Sequence, residues 1–132
     1  MDKKTPQGGI SNPLNQTLVA SRYLVVLSQI APHSGRIYKL HKERLVIGSV
    51  VSADVQIQGE GIAPIHAVIE IQADAGGSPV AMIFDLASDT GVFVNGVKHL
   101  TARLKTGDEI TVGRFSLKFA IEDPNAARAA NE

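Results

Sequence analysis

The histidines and carboxylates are the residues of this sequence best suited to acid–base or metal chemistry. The histidines lack the short spacing that places two metal ligands on one element; they are His33, His41, His66 and His99. Asp85 and Asp108 are the candidate acid–base pair, but each flanks a turn, where a carboxylate commonly accepts hydrogen bonds from backbone N–H groups. The motifs of serine hydrolases, phosphate-binding loops and zinc peptidases are absent, and so is cysteine. We therefore predict no enzymatic activity, no metal site and no cofactor.

The charge balance and the lengths of the apolar runs limit the partners. Lys plus Arg and Asp plus Glu both number 13 in 132 residues, so no net charge attracts nucleic acid or anionic lipid. The apolar run that begins at Tyr23 is far shorter than the roughly 20 residues that span a bilayer. The basic start of the chain is followed by polar residues, not by the apolar stretch of a signal peptide. We predict a cytoplasmic protein that neither binds nucleic acid nor inserts into a membrane.

Composition divides the chain into three parts. Residues 1–21 are rich in Lys, Gly, Pro, Asn and Gln with little to bury, which predicts a flexible tail. Residues 22–122 carry the apolar runs and are long enough for one domain with a genuine core. Residues 123–132 are predicted to be a second tail, or a linker to a further domain of a larger protein.

Short β-type runs separated by turn residues predict an all-β fold. Asn95-Gly96 between β-forming residues is a strong hairpin signal. Phe115, Leu117 and Phe119 alternate with polar residues, as one face of a strand requires. Since no long helical period appears, the pattern predicts an antiparallel β-sandwich of many short strands.

Four segments in a definite order resemble the forkhead-associated (FHA) domain, a β-sandwich of about eleven strands. They are residues 46–57, 61–71, 84–96 and 104–113. They match the family's first glycine, its Ser-x-x-His histidine, its Asp-Leu-x-Ser loop, its Asn-Gly turn and its Leu-x-x-Gly-Asp-x-Ile stretch. The resemblance covers residues 34–121 and implies a non-enzymatic module that binds protein, commonly a phosphothreonine peptide.

The positions that carry phosphopeptide binding in the family differ in this chain. By the resemblance, Ser49 stands where an arginine contacts phosphate, and Ala63 where a serine donates its hydroxyl. Thr90 stands where an asparagine holds the peptide backbone. We therefore predict a degenerate FHA domain that binds its partner independently of phosphorylation.

The resemblance also implies which residues line the site and which support it. The partner-binding residues predicted by analogy are Ser49, Val50, Val51, Ser52, Ala53, Gly61, Ala63, Pro64, Ile65, Ser88, Asp89 and Thr90. The supporting residues are Gly48, His66, Asn95 and Gly96. The histidine is expected to be a partly buried ring that bonds across the loops, and the first glycine to allow a close approach or a special backbone conformation.

Two alternative functions remain open at this stage. A phosphothreonine reader with a rebuilt phosphate pocket would need cations from elsewhere, with Lys42, Arg44, Lys98 and Arg114 as candidates, and Thr5 or Thr17 of the N-terminal tail could occupy it. A β-sandwich enzyme or carbohydrate-binding domain would need converging acidic groups or exposed aromatic rings. The carbohydrate-binding domain is disfavoured because the chain has only four Phe and two Tyr.

Overall fold

The computed structural model describes residues 23–86 and 88–122, which form eleven β-strands in two packed sheets. The expected sandwich of about eleven strands is confirmed. The described residues contain no helix, and so none that is long and apolar enough to cross a membrane. The tails predicted at 1–21 and 123–132 lie outside the described residues.

The chain crosses between the two sheets four times, after β2, β6, β8 and β9. The six-stranded sheet has the order β2-β1-β11-β10-β7-β8, with β1 Leu24–Ala31, β2 Ile37–Leu40, β7 Val92–Val94, β8 Val97–His99, β10 Glu109–Val112 and β11 Phe115–Glu122. The five-stranded sheet has the order β4-β3-β5-β6-β9, with β3 Arg44–Gly48, β4 Val55–Gln56, β5 Ala67–Ala73, β6 Pro79–Asp85 and β9 Thr101–Leu104.

The core lies between the sheets and follows the two-residue period of the sequence. Val25 and Leu27 of β1 and Leu117 and Phe119 of β11 are completely buried. In β5, Ile69 faces the same core from the opposite sheet. Burial of such side chains contributes roughly 1.5–3 kcal/mol each relative to leaving them exposed, so the alternation is enough to set the register of the sheets.

One strand pair departs from the expected antiparallel arrangement. β3 and β4 are parallel, with Ile47 opposite Val55 and Gly48 opposite Gln56. The connection between them has only six residues. It can be short because β4 pairs with only the last two residues of β3, so the chain returns a short distance along that strand. The Asp54 carboxylate accepts a hydrogen bond from the Val46 N–H at 2.8 Å, which holds the end of this connection against β3.

One end of the sandwich carries the turn 74–78 and is called the turn end, and the opposite end carries the longer loops. β5 starts beside the long loop that precedes it and ends at the turn 74–78, and β6 returns from that turn. The hydroxyl of Tyr23, just before β1, donates to the Gly77 carbonyl at 2.7 Å, so the chain enters the domain at the turn end. The β3–β4, β4–β5 and β6–β7 loops therefore lie at the opposite end.

The Asn95-Gly96 turn is tied to Asp108 at the end where the chain enters. Asn95 has a φ of 52°, and its side-chain amide donates to Asp108 Oδ1 at 3.0 Å. The backbone N–H of Lys105 donates to the other carboxylate oxygen at 2.7 Å. Burial raises the pKa of Asp108, but these hydrogen bonds and the charges of Lys105 and Lys118 hold it below its ordinary value.

Replacement of Asp108 tests this network. Because the folded-state pKa is depressed, the carboxylate stabilises the fold above its unfolded pKa, and this stability is lost as the pH falls through the folded value. We expect Asp108→Asn to lower the free energy of unfolding by about 2 kcal/mol at pH 7, with the difference from wild type shrinking below about pH 4. Urea denaturation at a series of pH values measures it. Asp89→Asn, at an exposed carboxylate, is the control, and equal effects of the two changes would contradict the assignment.

Candidate functional site

Three loops at one end of the sandwich carry the residues predicted to bind a partner. We call their surface the loop face: residues 49–54 after β3, residues 57–66 after β4, and residues 86–91 after β6, of which residue 87 lies outside the described residues. The three loops come from the same sheet, and direct hydrogen bonds hold them together. The structure therefore brings the predicted partner-binding residues to one surface, although the residues that bind remain a prediction.

Gly48 permits the first two loops to pack against each other. A Cβ at this position would lie 2.0 Å from the Pro64 carbonyl oxygen and 3.0 Å from the Ile65 Cα. The close approach anticipated from the sequence is thus present, and its neighbours are backbone atoms that cannot rotate away. The N–H groups of Ser49 and Val50 continue this contact by donating to the carbonyls of Ala63 at 3.1 Å and Pro64 at 3.3 Å.

The His66 imidazole joins the second loop to the third. It is completely buried, not partly buried as expected, and its Nδ1 accepts a hydrogen bond from the Ala63 N–H at 3.1 Å. Nε2 lies 2.9 Å from the Gly91 carbonyl oxygen. Because Nδ1 is the acceptor, Nε2 must carry the proton and donate it to that oxygen. Both ring nitrogens are therefore used within the protein, which leaves neither for a metal or a substrate.

Thr90 supplies a second link between the same two loops. Its hydroxyl donates to the Gly61 carbonyl at 2.7 Å, while its methyl group lies near Gly61. The third loop is also braced internally, because Ser88 donates both its N–H and its hydroxyl to Asp85. The Ser88 hydroxyl in turn accepts the Gly91 N–H at 2.9 Å. Asp85 thus satisfies a turn, as its position in the sequence suggests, and is not placed as a catalytic acid.

Two of the four cations considered as replacements for a phosphate ligand are paired elsewhere. Lys42 pairs with the Asp54 carboxylate, and Arg44 lies 3.7 Å from Glu70 on the outer surface of the sheet. Burial raises the pKa of Asp54, but the bonds from Lys42 and the Val46 N–H outweigh it and lower the pKa. The other two, Lys98 and Arg114, have no ion pair among the described residues. Arg114 is exposed and directly follows Gly113, whose Cα would lie 3.6 Å from a Cβ on Gly61 of the second loop.

Lys98 lies against the third loop. A Cβ on Gly91 would be 2.6 Å from the Lys98 Cε, so the lysine stem covers this glycine. No ion pair of Lys98 is found within residues 23–86 and 88–122. It therefore places a positive charge at the edge of the loop face, away from the two loops that contain Ser49 and Ala63.

The remaining surface of the first two loops is largely apolar. Val51 is 87% exposed and Ile65 is 47% exposed, and Pro64 next to it is exposed as well. Ser52 is exposed between them in the sequence, and Ala53 is half-buried. Exposed apolar side chains within a polar rim are typical of surfaces that bind protein.

Two of the predicted supporting residues do not touch the loop face. Asn95 and Gly96 lie at the far end of β7, and Asn95 bonds to Asp108 and to the N–H of Glu109. The three residues of β7 separate them from the third loop, and their role as supports of the site stays a prediction. Conversely, Asp54 positions the first loop and was not predicted to do so, whereas Asp85 braces a turn as its position in the sequence predicts. The signal available in the sequence was an aspartate directly before or after a β-type run.

Comparison with known proteins agrees with this architecture. The family model of the FHA domain matches residues 45–113, which is more than half of the chain. The protein belongs to the FHA family. Metal chemistry has no candidate in the described residues, which contain no group of three or more His, Cys, Asp or Glu that could hold an ion.

Several solved FHA structures are similar over most of the domain. A domain from work on phosphothreonine-dependent FHA interactions has 28% identity and a TM-score of 0.63, covering 74% of this chain and 95% of its own. The FhaA FHA domain, solved with the intracellular domain of Rv3910, has 29% identity and a TM-score of 0.59, covering 72% of this chain and 98% of its own.

Mycobacterium tuberculosis EmbR, solved with a low-affinity phosphopeptide, is similar at 26% identity and a TM-score of 0.62. The match covers 84% of this chain but only 30% of EmbR, so this chain corresponds to one part of that protein. No curated protein sequence matches this chain significantly.

The role of Gly48 can be tested by adding a single methyl group. We expect Gly48→Ala to lower the free energy of unfolding by about 3 kcal/mol, because the new Cβ would overlap the Pro64 carbonyl. Thermal and urea denaturation measure this loss. Gly76→Ala is the control, since the nearest atom to a Cβ there is the Asp74 carboxylate oxygen at 3.6 Å. A Gly48→Ala protein as stable as the control would show that the loops can separate without cost.

Proposed function

We propose that this FHA domain binds an unmodified segment of a partner protein through its loop face, independently of phosphorylation. The observation that carries the proposal is the state of the groups where the family binds phosphate. Ser49 and Ala63 supply no cation and no second hydroxyl, the N–H groups of Ser49 and Val50 are already bonded, and the Thr90 hydroxyl is bonded to Gly61. A phosphate dianion would meet few free donors there.

The cost of these replacements is large compared with the affinity of a peptide-binding module. Hydrogen bonds to charged groups contribute about 1.5–3 kcal/mol each, and guanidinium is the best-matched donor for phosphate. Two or three missing bonds remove roughly 3–8 kcal/mol, and each 1.4 kcal/mol is a factor of ten. A micromolar phosphopeptide site would therefore weaken to millimolar or beyond.

The apolar side chains of the loop face support a protein ligand. Val51, Pro64 and Ile65 would bury hydrocarbon against a partner without requiring a charge. The FhaA neighbour was solved with a domain of another protein, which is consistent with a partner that contacts an FHA domain as a protein surface. The partner is a separate cytoplasmic protein or a further domain of a larger chain, and the module acts by recruitment without catalysis.

A second candidate function is a phosphothreonine reader with a rebuilt pocket, and Lys98 favours it. Its stem covers Gly91 and it has no ion pair among the described residues, so its ammonium group is free to meet a phosphate at the third loop. The neighbours solved in phosphothreonine-dependent studies and with a phosphopeptide give this alternative its precedent.

The position of Tyr23 limits which threonine of the N-terminal tail could act as the ligand of its own domain. Tyr23 lies at the turn end, and the eight residues of β1 alone span about 27 Å toward the loops. Thr17 precedes Tyr23 by six residues and can reach only about 20 Å, whereas Thr5 can reach about 60 Å. Only Thr5 is tethered by enough chain to enter the loop face of its own domain.

The two functions make opposite predictions for a phosphopeptide titration. We expect wild-type protein to bind a phosphothreonine peptide library no better than its unphosphorylated twin. The triple variant Ser49→Arg, Ala63→Ser, Thr90→Asn should gain a preference for phosphate of about tenfold or more, because it restores the missing donors. Fluorescence anisotropy measures both.

The control for added charge is Ser52→Arg, which places the same guanidinium on the first loop at an exposed position outside the implied phosphate contact. This variant should gain little preference. Micromolar, phosphate-dependent binding by the wild type would overturn the proposal, and its loss in Lys98→Gln would establish the rebuilt pocket instead.

The apolar contact has its own test. Peptides without phosphate that bind the wild type can be selected by display, and their affinities for variants measured by calorimetry. We expect Ile65→Ser to weaken binding by about tenfold to a hundredfold, as for a residue central to an interface. Val97→Ser is the control, because Val97 is 57% exposed but follows the Asn95-Gly96 turn at the other end. Equal effects of the two changes would show that the loop face is not the binding surface.

A further inference from the structure

A polar crevice lies beside the loop face, between the exposed edges of the two sheets. β2 is the edge strand of one sheet and β4 the edge strand of the other. The residues that line the space between them include Gln29, Arg36, Tyr38, Gln56, Gln58 and Phe115. No Asp or Glu is found among the lining residues. The crevice is thus rich in side-chain amides and has a positive charge without a compensating negative one.

Gln29 is the feature of the crevice that the fold itself does not explain. It follows Val25 and Leu27 in the two-residue alternation of β1, so its side chain points between the sheets, and only 9% of it is exposed. Its backbone closes the turn to β2, through bonds to Arg36 and Gly35. Its side-chain amide, however, has no hydrogen-bond partner among residues 23–86 and 88–122. A buried amide without a partner destabilises a protein, and it would gain most from a ligand that enters the crevice.

Arg36 supplies the charge. It is exposed, its guanidinium lies 5.5 Å from the centre of the Tyr38 ring, and it has no ion pair within the described residues. The ring favours a position of the cation over its face. The Tyr38 hydroxyl faces the Gln56 carbonyl at 3.4 Å, which connects the two sheet edges across the crevice.

We propose that the crevice between β2 and β4 binds the carboxylate side chain of an acidic residue in a protein partner. Arg36 would pair with the carboxylate through its planar fork, and the Gln29 amide would donate to an oxygen that reaches the interior. A carboxylate fits better than a phosphate, because the crevice offers one permanent charge and several neutral amide donors. The crevice shares Ile57 and Gln58 with the start of the second loop, but Arg36 and Gln29 lie outside the three loops. The proposed contact therefore does not depend on how the loop face treats phosphate.

The Gln29 side-chain NH2 group reports directly on occupancy in the full chain by ¹H–¹⁵N NMR. The probe is N-acetylglutamate α-amide, with N-acetylglutamine amide as its neutral twin and N-acetylphosphothreonine amide as the phosphate arm. We expect the first to shift the Gln29 resonances saturably at millimolar concentration, and the neutral twin to leave them unchanged. Equal shifts from the twin, no shift of Gln29, or tighter binding of the phosphate probe would each overturn the proposal.

Two variants separate a binding role from a structural one. Arg36→Gln should raise the dissociation constant of the glutamate probe about tenfold or more, while Arg103→Gln, at an exposed arginine of β9 that does not line the crevice, leaves it unchanged. Gln29→Met should abolish probe binding and raise the melting temperature, since the unpaired amide is replaced by an apolar side chain of similar shape. A lowered melting temperature would mean that the amide is satisfied in the fold, and would overturn the proposal.

The loop-face variant Ile65→Ser distinguishes this site from the proposed function. It should leave the response of Gln29 to the glutamate probe intact even where binding of display-selected peptides is lost. Loss of the Gln29 response in Ile65→Ser would show that the crevice does not act as a separate site, and would overturn the inference.

Discussion

The buried His66 ring is the interaction on which the loop face depends. Its two nitrogens join the Ala63 N–H of one loop to the Gly91 carbonyl of another, and the ring itself is enclosed by the protein. An imidazole with both nitrogens bonded satisfies its polar groups and is not costly to bury. The acceptor and the donor lie at separate corners of a rigid ring, so the two bonds fix the position of one loop relative to the other.

The close approach at Gly48 joins the first loop to the second. Gly48 brings the Pro64 carbonyl against the end of β3, which lets the N–H groups of Ser49 and Val50 bond to the second loop. These bonds have a chemical consequence. Backbone donors that could have met an anion are consumed in holding the loops together, while Val51 and Ile65 remain exposed on the outside. The same contacts that order the loops thus support the proposal of an apolar ligand.

Three aspartates of the domain serve the fold. Asp54 with Lys42 holds the first loop, Asp85 braces the third, and Asp108 ties down the turn at Asn95. Arg36 and Lys98 differ because neither has an ion pair among the described residues, and both border a surface suited to a ligand. Together they flank the loop face, with one charge at its β2–β4 side and the other at its third loop. A partner with acidic residues outside an apolar segment would match this distribution.

The fold class, the apolar alternation within strands and the order of the motifs could be predicted from the sequence, because they depend on local periodicity and turn chemistry. Phe115, Leu117 and Phe119 predict a strand, and Asn95-Gly96 predicts a hairpin turn elsewhere in the chain. Gly48 and His66 stand in the order that the FHA family requires. Which loops meet, and which polar groups already have a hydrogen-bond partner, could be read only from the three-dimensional arrangement. Three contacts join residues that are not neighbours in the chain: the parallel pairing of β4 with β3, the bond from Thr90 to Gly61 and the pairing of Lys42 with Asp54. The buried Gln29 amide, by contrast, has no partner among the described residues. Hydrogen bonds and burial of this kind depend on distances between strands, and one-dimensional spacing does not contain those distances.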